Sequence, residues 1–274
     1  MMNFASALRC SGLAVLLFLL PASVSNAAED AQLMDRLVKS YPDFLAGHDG
    51  NHLIWKDGTR MEFDDGKPAR DFDDLLENPS LKDMFYAPYT IGAMENPPGV
   101  NEDPGRVRNE EFFLKMYGDC REGEVAANLV DVVWLPRKWG RKLRVTRVNG
   151  VAERLVRISA ELDALPRKFD KYLTPPSGTF NCRVIAGTTR LSAHGTATAI
   201  DIASKRAHYW RWSKPDSTGR YQWKNDIPIE IVDVFERHGF IWGGKWYHFD
   251  TMHFEYRPEL IAIGKLAKAK GCAQ

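Results

Sequence analysis

The chain has 274 residues, with 37 Lys+Arg against 36 Asp+Glu, 44% hydrophobic residues and 11% aromatic residues. That length buries a substantial core, as one large domain or two modest ones, and the composition excludes a disordered, collagen-like or disulfide-dense chain. A formal charge of +1 and the lack of a Lys/Arg stripe leave no electrostatic footprint for nucleic acid, so function must come from local motifs.

Residues 1–27 read as an address. Arg9 is their one charge, and an unbroken apolar stretch runs from Leu13 to Leu20 before Pro21 and a set of small residues. The apolar run is too short to span a bilayer, and Ser25-Asn26-Ala27 fits a small-x-small cleavage site, so a secretory signal peptide cut after Ala27 is expected. The competing reading is a buried N-terminal helix. Cys10 precedes the apolar run, which argues against lipoprotein acylation. The expected mature chain is charge-balanced, has no transmembrane segment, and works in the periplasm or outside the cell. Export permits a disulfide. Of Cys120, Cys182 and Cys272, at most two can pair internally, and all three pairings stay open. No CxxC spacing exists, so a zinc–thiolate cluster is excluded.

Residues 28–128 form an N-terminal extension, irregular and rich in turn formers such as Asp57-Gly58 and Asn96-Pro97-Pro98-Gly99. Leu53-Ile54-Trp55 and Met61-Glu62-Phe63 suggest a hairpin around Asp57-Gly58. A helix capped by Asn109 buries Phe112, Phe113 and Met116 and stops at Gly118. Residues 129–274 carry sharper signals and are taken as a second unit, a zinc peptidase domain on the grounds given below. Leu143 to Val148 suggests a strand. Asn149 is expected to cap a helix whose apolar residues Val151, Leu155, Ile158, Leu162 and Leu165 recur on one face until Pro166. Phe180 to Ala186 and Ala199 to Ala203 read as short strands. Asp226 is expected to cap a further helix, with Pro228 in its first turn, Ile231, Val234 and Phe235 inward, and Gly239 at its end. Finally, Met252, Phe254 and Tyr256 alternate with His253 and Glu255, a strand with one apolar and one polar face. Without a regular βαβ rhythm the class is α+β, a small central antiparallel sheet with flanking helices and the N-terminal extension.

Two segments concentrate metal-ligand residue types, Arg190 to Asp201 and Trp242 to Glu255. Singly, His194 reads as a loop histidine and Asp201 as a buried structural aspartate. Together with His253 they supply the three N/O ligands of a catalytic zinc, whose fourth position stays open for water. The small residues Gly195 through Ala199 let the chain turn back so that His194 and Asp201 face one ion. Asp250, three residues before His253, adds a carboxylate able to move a proton.

These segments resemble the zinc peptidases of bacterial cell walls: D-alanyl-D-alanine carboxypeptidases, D-Ala-D-Ala dipeptidases and L-alanyl-D-glutamate endolysins. Ser192, His194, Ala199 and Asp201 fall on the pattern S-x-H-x-x-G-x-A-x-D, with Ala197 at the position of its glycine, and Asp250-Thr251-Met252-His253 falls on the downstream acid-and-histidine pattern. The acid is aspartate, as in the endolysin branch. The resemblance covers roughly residues 140–260. It implies Zn2+ as cofactor, held by His194, Asp201 and His253, with Asp250 as general base. It also places Arg183 where the family often has an arginine that stabilises an oxyanion or holds a substrate carboxylate, and peptidoglycan stem peptides as the partner. The bond cut stays open between a terminal D-alanine and an internal bond.

Ser192 is expected to hydrogen-bond locally or to substrate, and Glu255 either supports a ligand or forms a surface salt bridge. His248 either assists the site or packs among Trp246, Tyr247 and Phe249. Tyr209-Trp210-Arg211-Trp212 either lines a glycan or peptide groove or packs as core or lid. His48, His52, His208 and His238 show no partner pattern. The reading from a different class is a zinc-containing module that binds cell-wall peptides without cutting them. No nucleophile elbow or paired Cys/His motif supports a serine or cysteine hydrolase. The sequence carries no signal of oligomeric state.

Overall fold

The computed structural model describes residues 22–271. Most of the expected signal segment, residues 1–21, and Cys272 lie outside the described residues. No described helix is long and apolar enough to cross a membrane.

The N-terminal segment begins with α1 (Ala22–Ser40), which buries Met34 and Leu37 and leads into buried Tyr41. A three-stranded antiparallel sheet follows, β1 (Leu45–Asp49), β2 (His52–Trp55) and β3 (Arg60–Glu62), and Asp57-Gly58 makes the β2–β3 turn as expected. Short helix α2 (Phe72–Glu77) is capped by Asp71, whose carboxylate accepts from the Asp74 N–H. Helix α3 (Glu110–Tyr117) has the predicted cap: the Asn109 side chain accepts from the Phe112 N–H, and Gly118 ends it.

The second half opens with the hairpin β4 (Leu129–Trp134) and β5 (Arg141–Thr146), paired from Leu129↔Thr146 to Trp134↔Arg141. Helix α4 (Val151–Ala164) buries Val151, Leu155, Ile158 and Leu162, the face its periodicity predicts, and Leu165 follows as its C-cap. Its start departs from expectation. Asn149 sits at φ 55° one position too early, Gly150 occupies the cap, and the Asn149 amide donates to Met116 Sδ at 2.8 Å. After the single turn α5 (Asp170–Leu173), the predicted strand Phe180–Ala186 is absent. Asn181 to Val184 are exposed and have no neighbouring strand to complete a ladder; the chain forms only an isolated bridge between Val184 and Leu191. A disulfide from Cys182 to Cys120 ties this loop to the N-terminal segment, choosing one of the three open pairings.

Strand β6 (Ala199–Asp201) precedes α6 (Ile229–Arg237), which buries Ile231, Val234 and Phe235 as predicted. Its cap is Pro228 rather than Asp226, because the Asp226 carboxylate is engaged with His208 Nε2 at 3.1 Å. Strands β7 (Phe240–Trp242) and β8 (His253–Tyr256) complete a second three-stranded antiparallel sheet in the order β6-β8-β7, and α7 (Pro258–Gly271) closes the described chain. The fold is therefore α+β, with the small antiparallel sheet and flanking helices expected. Phe235 of α6 stacks on Phe254 of β8 with centroids 3.8 Å apart and planes 15° from parallel. Both rings are fully buried, and burial of such a ring stabilises by about 1.5–3 kcal/mol. One continuous apolar cluster contains Tyr41, Trp55 and Phe112 from the N-terminal segment together with Ile158, Phe235 and Phe254.

Candidate metal centre

Sheet register brings the first two candidate ligands together. In the β6–β8 ladder Asp201 stands directly opposite His253, and Ala199 opposite Glu255. Side chains alternate along a strand, so His253 and Glu255 share one face of β8. That polar face is buried rather than solvated, since all four residues of β8 are buried.

His194 arrives from the short 3₁₀ turn Ala193–Thr196, which Ser192 caps by accepting the His194 N–H. The turn ends at Ala197, buried and in the left-handed region at φ 56°, ψ 31°, and this reversal sends the chain back into β6. A left-handed residue explains why glycine is preferred at this position in the resembling pattern; alanine bears about 1 kcal/mol or more of backbone cost there.

The three ligand atoms form a small triangle. His194 Nε2 lies 3.3 Å from His253 Nδ1 and 3.2 Å from Asp201 Oδ1, and His253 Nδ1 lies 3.0 Å from Asp201 Oδ1. A tetrahedral ion bound to N and O ligands at about 2.0–2.1 Å spaces them about 3.3 Å apart, so this triangle is one face of such a coordination shell. The outer hydrogen bonds point the right nitrogens inward. His194 Nδ1–H donates to the Thr179 carbonyl at 2.5 Å, leaving Nε2 free to ligate. His253 Nε2–H donates to Glu255 Oε2 at 3.4 Å, which turns Nδ1 toward Asp201 and His194. Such partners fix tautomer and ring orientation and raise ligand basicity.

Charge around the ligands is ordered. Burial opposes ionisation of Asp201, but the neighbouring His194 and His253 hold its carboxyl well below the usual range. Burial would likewise lower the His253 imidazole, yet its hydrogen bonds to Asp201 and Glu255 outweigh that and raise it to about 10 without a metal. Glu255 is itself buried, and despite that cost the Arg108 guanidinium at 2.9 Å and the His253 contact hold its carboxyl at about 2. Arg257 Nη1 approaches the other Glu255 oxygen at 3.6 Å.

Asp250 lines the same cleft. Its backbone is pinned: the Asp250 N–H donates to Gly243 O at 2.9 Å, and the His253 N–H donates to Asp250 O at 3.2 Å. A methyl group on Gly243 would stand 2.6 Å from that Asp250 oxygen, so the close approach requires glycine. Asp250 Oδ1 is buried with no hydrogen-bond partner. Burial, and then the nearby Asp201 charge, raise its carboxyl to about 7. A half-buried carboxylate with one unpartnered oxygen, beside a triangle of candidate ligands, is the donor set a metallohydrolase needs: fixed ligands, one open position, and a group able to exchange a proton.

The remaining sequence candidates fall around this cleft. Arg183 is exposed on its edge, with only the Val184 carbonyl 3.4 Å from Nη1. Ser192 is buried and lines it. Tyr209 and Trp210 line it too, whereas Trp212 is 62% exposed. His248 is in the wall and not among the ligand atoms: its Nδ1–H donates to Asp103 Oδ2 at 2.6 Å. His48 and His238 do find partners, Asp35 at 3.2 Å and Glu161 at 2.5 Å, both away from the cleft.

Sequence reasoning missed Asp103, Arg106 and Arg108. Arg106 and Arg108 both line the cleft and flank fully buried Val107. The alternation Arg-Val-Arg was the available signal, one that carries no metal-ligand chemistry and lies far from the motif in sequence.

Residues 186–256 match the family model described as D-alanyl-D-alanine carboxypeptidase. The match spans all three candidate ligands and Asp250, bears out the resemblance read from the motifs, and supports a peptidoglycan-related peptidase. No curated protein and no solved structure matches the chain.

Proposed function

We propose that the protein is a zinc-dependent peptidase, exported to the periplasm or beyond, that hydrolyses peptidoglycan stem peptides. The observation that carries this reading is the His194–Asp201–His253 triangle with the unpartnered Asp250 carboxylate in the same cleft. Zinc held by His194 Nε2, Asp201 Oδ1 and His253 Nδ1 would supply Lewis acidity, polarising a scissile carbonyl and making water a nucleophile at neutral pH. Asp250 takes a proton from the attacking water and returns it to the departing amine. Arg183, which has no carboxylate partner among the described residues, meets the developing oxyanion or a substrate carboxylate at the edge of the cleft. Ser192 holds the His194 turn and presents its hydroxyl to bound peptide.

Two features support export. Ala27, Ala28 and Glu29 are exposed and burial in α1 begins at Met34, so cleavage after Ala27 would leave its packed part intact. The Cys120–Cys182 bond fits an oxidising compartment. A module that merely binds peptide has no use for the desolvated Asp250 carboxylate.

The test is digestion of crosslinked peptidoglycan and defined stem peptides by the zinc-loaded protein, read by mass spectrometry beside Asp250→Ala. Loss of one terminal alanine identifies a carboxypeptidase; separated dimers or freed stems identify an endopeptidase. Intact substrate with zinc bound stoichiometrically, or equal turnover by Asp250→Ala, overturns the proposal.

A further inference from the structure

Resting on the peptidase reading above, we infer that the N-terminal segment completes a second subsite beside the metal cleft, which takes a carboxylate-bearing residue of the peptide and reads it through Arg211. The cleft at the ligand triangle holds about 120 Å³. It adjoins a depression of about 590 Å³, and Arg106, Trp210 and His248 line both, forming the common wall. A peptide whose scissile residue sits at the metal therefore has its next residues led across this wall.

The wall is built to stay in place. Asp103, fully buried, accepts from the His248 backbone N–H at 2.9 Å, from His248 Nδ1–H at 2.6 Å and from Arg106 Nη1 at 2.9 Å. The Phe72 ring of α2 stacks on the His248 imidazole with centroids 5.5 Å apart and planes 11° from parallel, and Trp210 meets the same imidazole edge-on at 4.7 Å. Asp103, Arg106 and Phe72 all belong to the N-terminal segment and lie outside residues 186–256.

Charge then selects the ligand. Asp103 neutralises Arg106, and Glu77 neutralises Arg190 at 3.0 Å. Of the acids on the lining, Asp71 is engaged in capping α2, while Asp73 stands on the rim. Arg211 differs: it is exposed, its guanidinium lies over the Trp210 ring at 5.0 Å, and it joins no ion pair among the described residues. A guanidinium oriented by an aromatic face and lacking a carboxylate is available to bind one in the bidentate manner.

The experiment titrates a synthetic tetrapeptide with a central glutamate, and the same peptide with glutamine, into zinc-loaded Asp250→Asn protein by calorimetry. The glutamate peptide is expected to bind about ten-fold or more tightly, and Arg211→Gln in that background to erase the preference. Equal affinity for the two peptides, or a preference that survives Arg211→Gln, overturns the subsite. Hydrolysis by the protein with Asp250 intact is scored separately. Failure to cut any peptide removes the peptidase reading, while an Arg211-dependent binding preference would still uphold the subsite.

Discussion

Replacing Asp250 by asparagine should slow turnover sharply and stabilise the metal-free protein. Burial and the Asp201 charge lift the Asp250 carboxyl from its ordinary 3.8 to about 7. At 1.36 kcal/mol per pH unit, full expression of that difference penalises the ionised form by roughly 4 kcal/mol, and solvent in the open cleft reduces this to about 2 kcal/mol. The sign follows from proton uptake. Between about pH 4 and 7 the native carboxyl holds a proton that the unfolded chain has released, so parental stability falls as pH rises through this window. Asparagine does not titrate, so its advantage over the parent is absent near pH 4 and complete above pH 7. Denaturant unfolding of chelator-treated proteins at pH 4.5, 6 and 8 measures it directly, with circular dichroism confirming the fold. Turnover of zinc-loaded protein should fall by about 10²–10⁴-fold, the usual contribution of a positioned acid–base group. Equal stability of the two proteins at pH 8 would refute the electrostatic argument, and retained turnover would refute the role of Asp250.

Zinc must displace the proton that Asp201 and Glu255 hold on His253 up to about pH 10, so loading at pH 7.5 should release about one proton. Calorimetry in buffers of different ionisation enthalpy reads this, and a binding heat independent of buffer would contradict it. Arg108→Ala leaves the Glu255 carboxylate without its 2.9 Å partner and should weaken zinc affinity by about 10–100-fold in a chelator competition, with Arg108→Lys recovering part. Unchanged affinity in Arg108→Ala would rule out that positioning role. At Ala197, glycine relieves the left-handed strain but loses a buried methyl worth about 0.8 kcal/mol, so Ala197→Gly should stay within about 1 kcal/mol of the parent in urea unfolding. Ala197→Val places a β-branched side chain at the same φ and should destabilise by 2 kcal/mol or more, on the order of a strained and overpacked site.

Much of the local structure was legible because short-range physics governs it. The Asn109 cap, the apolar faces of α4 and α6, the Asp57-Gly58 turn and the strand carrying His253 all follow from spacing alone. The two misplaced caps show where that logic ends: Asn149 and Asp226 each have side-chain partners, Met116 and His208, that are remote in sequence. The loop at Phe180–Ala186 has a strand's residue types but no partner strand, and pairing is a property of the assembled fold. The candidate ligands were legible because their residue types are rare and His194 and Asp201 stand close together in a motif. Their convergence depends on the register Asp201↔His253, which no interval encodes. Nor does the motif contain Arg108 or Asp103, since their value lies in charge brought alongside by packing.

The shared core limits how portable this chemistry can be. Residues 186–256 hold all three candidate ligands and Asp250, and a gene fragment encoding them would look like a complete cassette. Such a fragment would present Phe235 to solvent on the side where Trp134 now packs. It would also strand Glu255 without Arg108. Transplanting the activity into another scaffold therefore means moving the N-terminal segment with it.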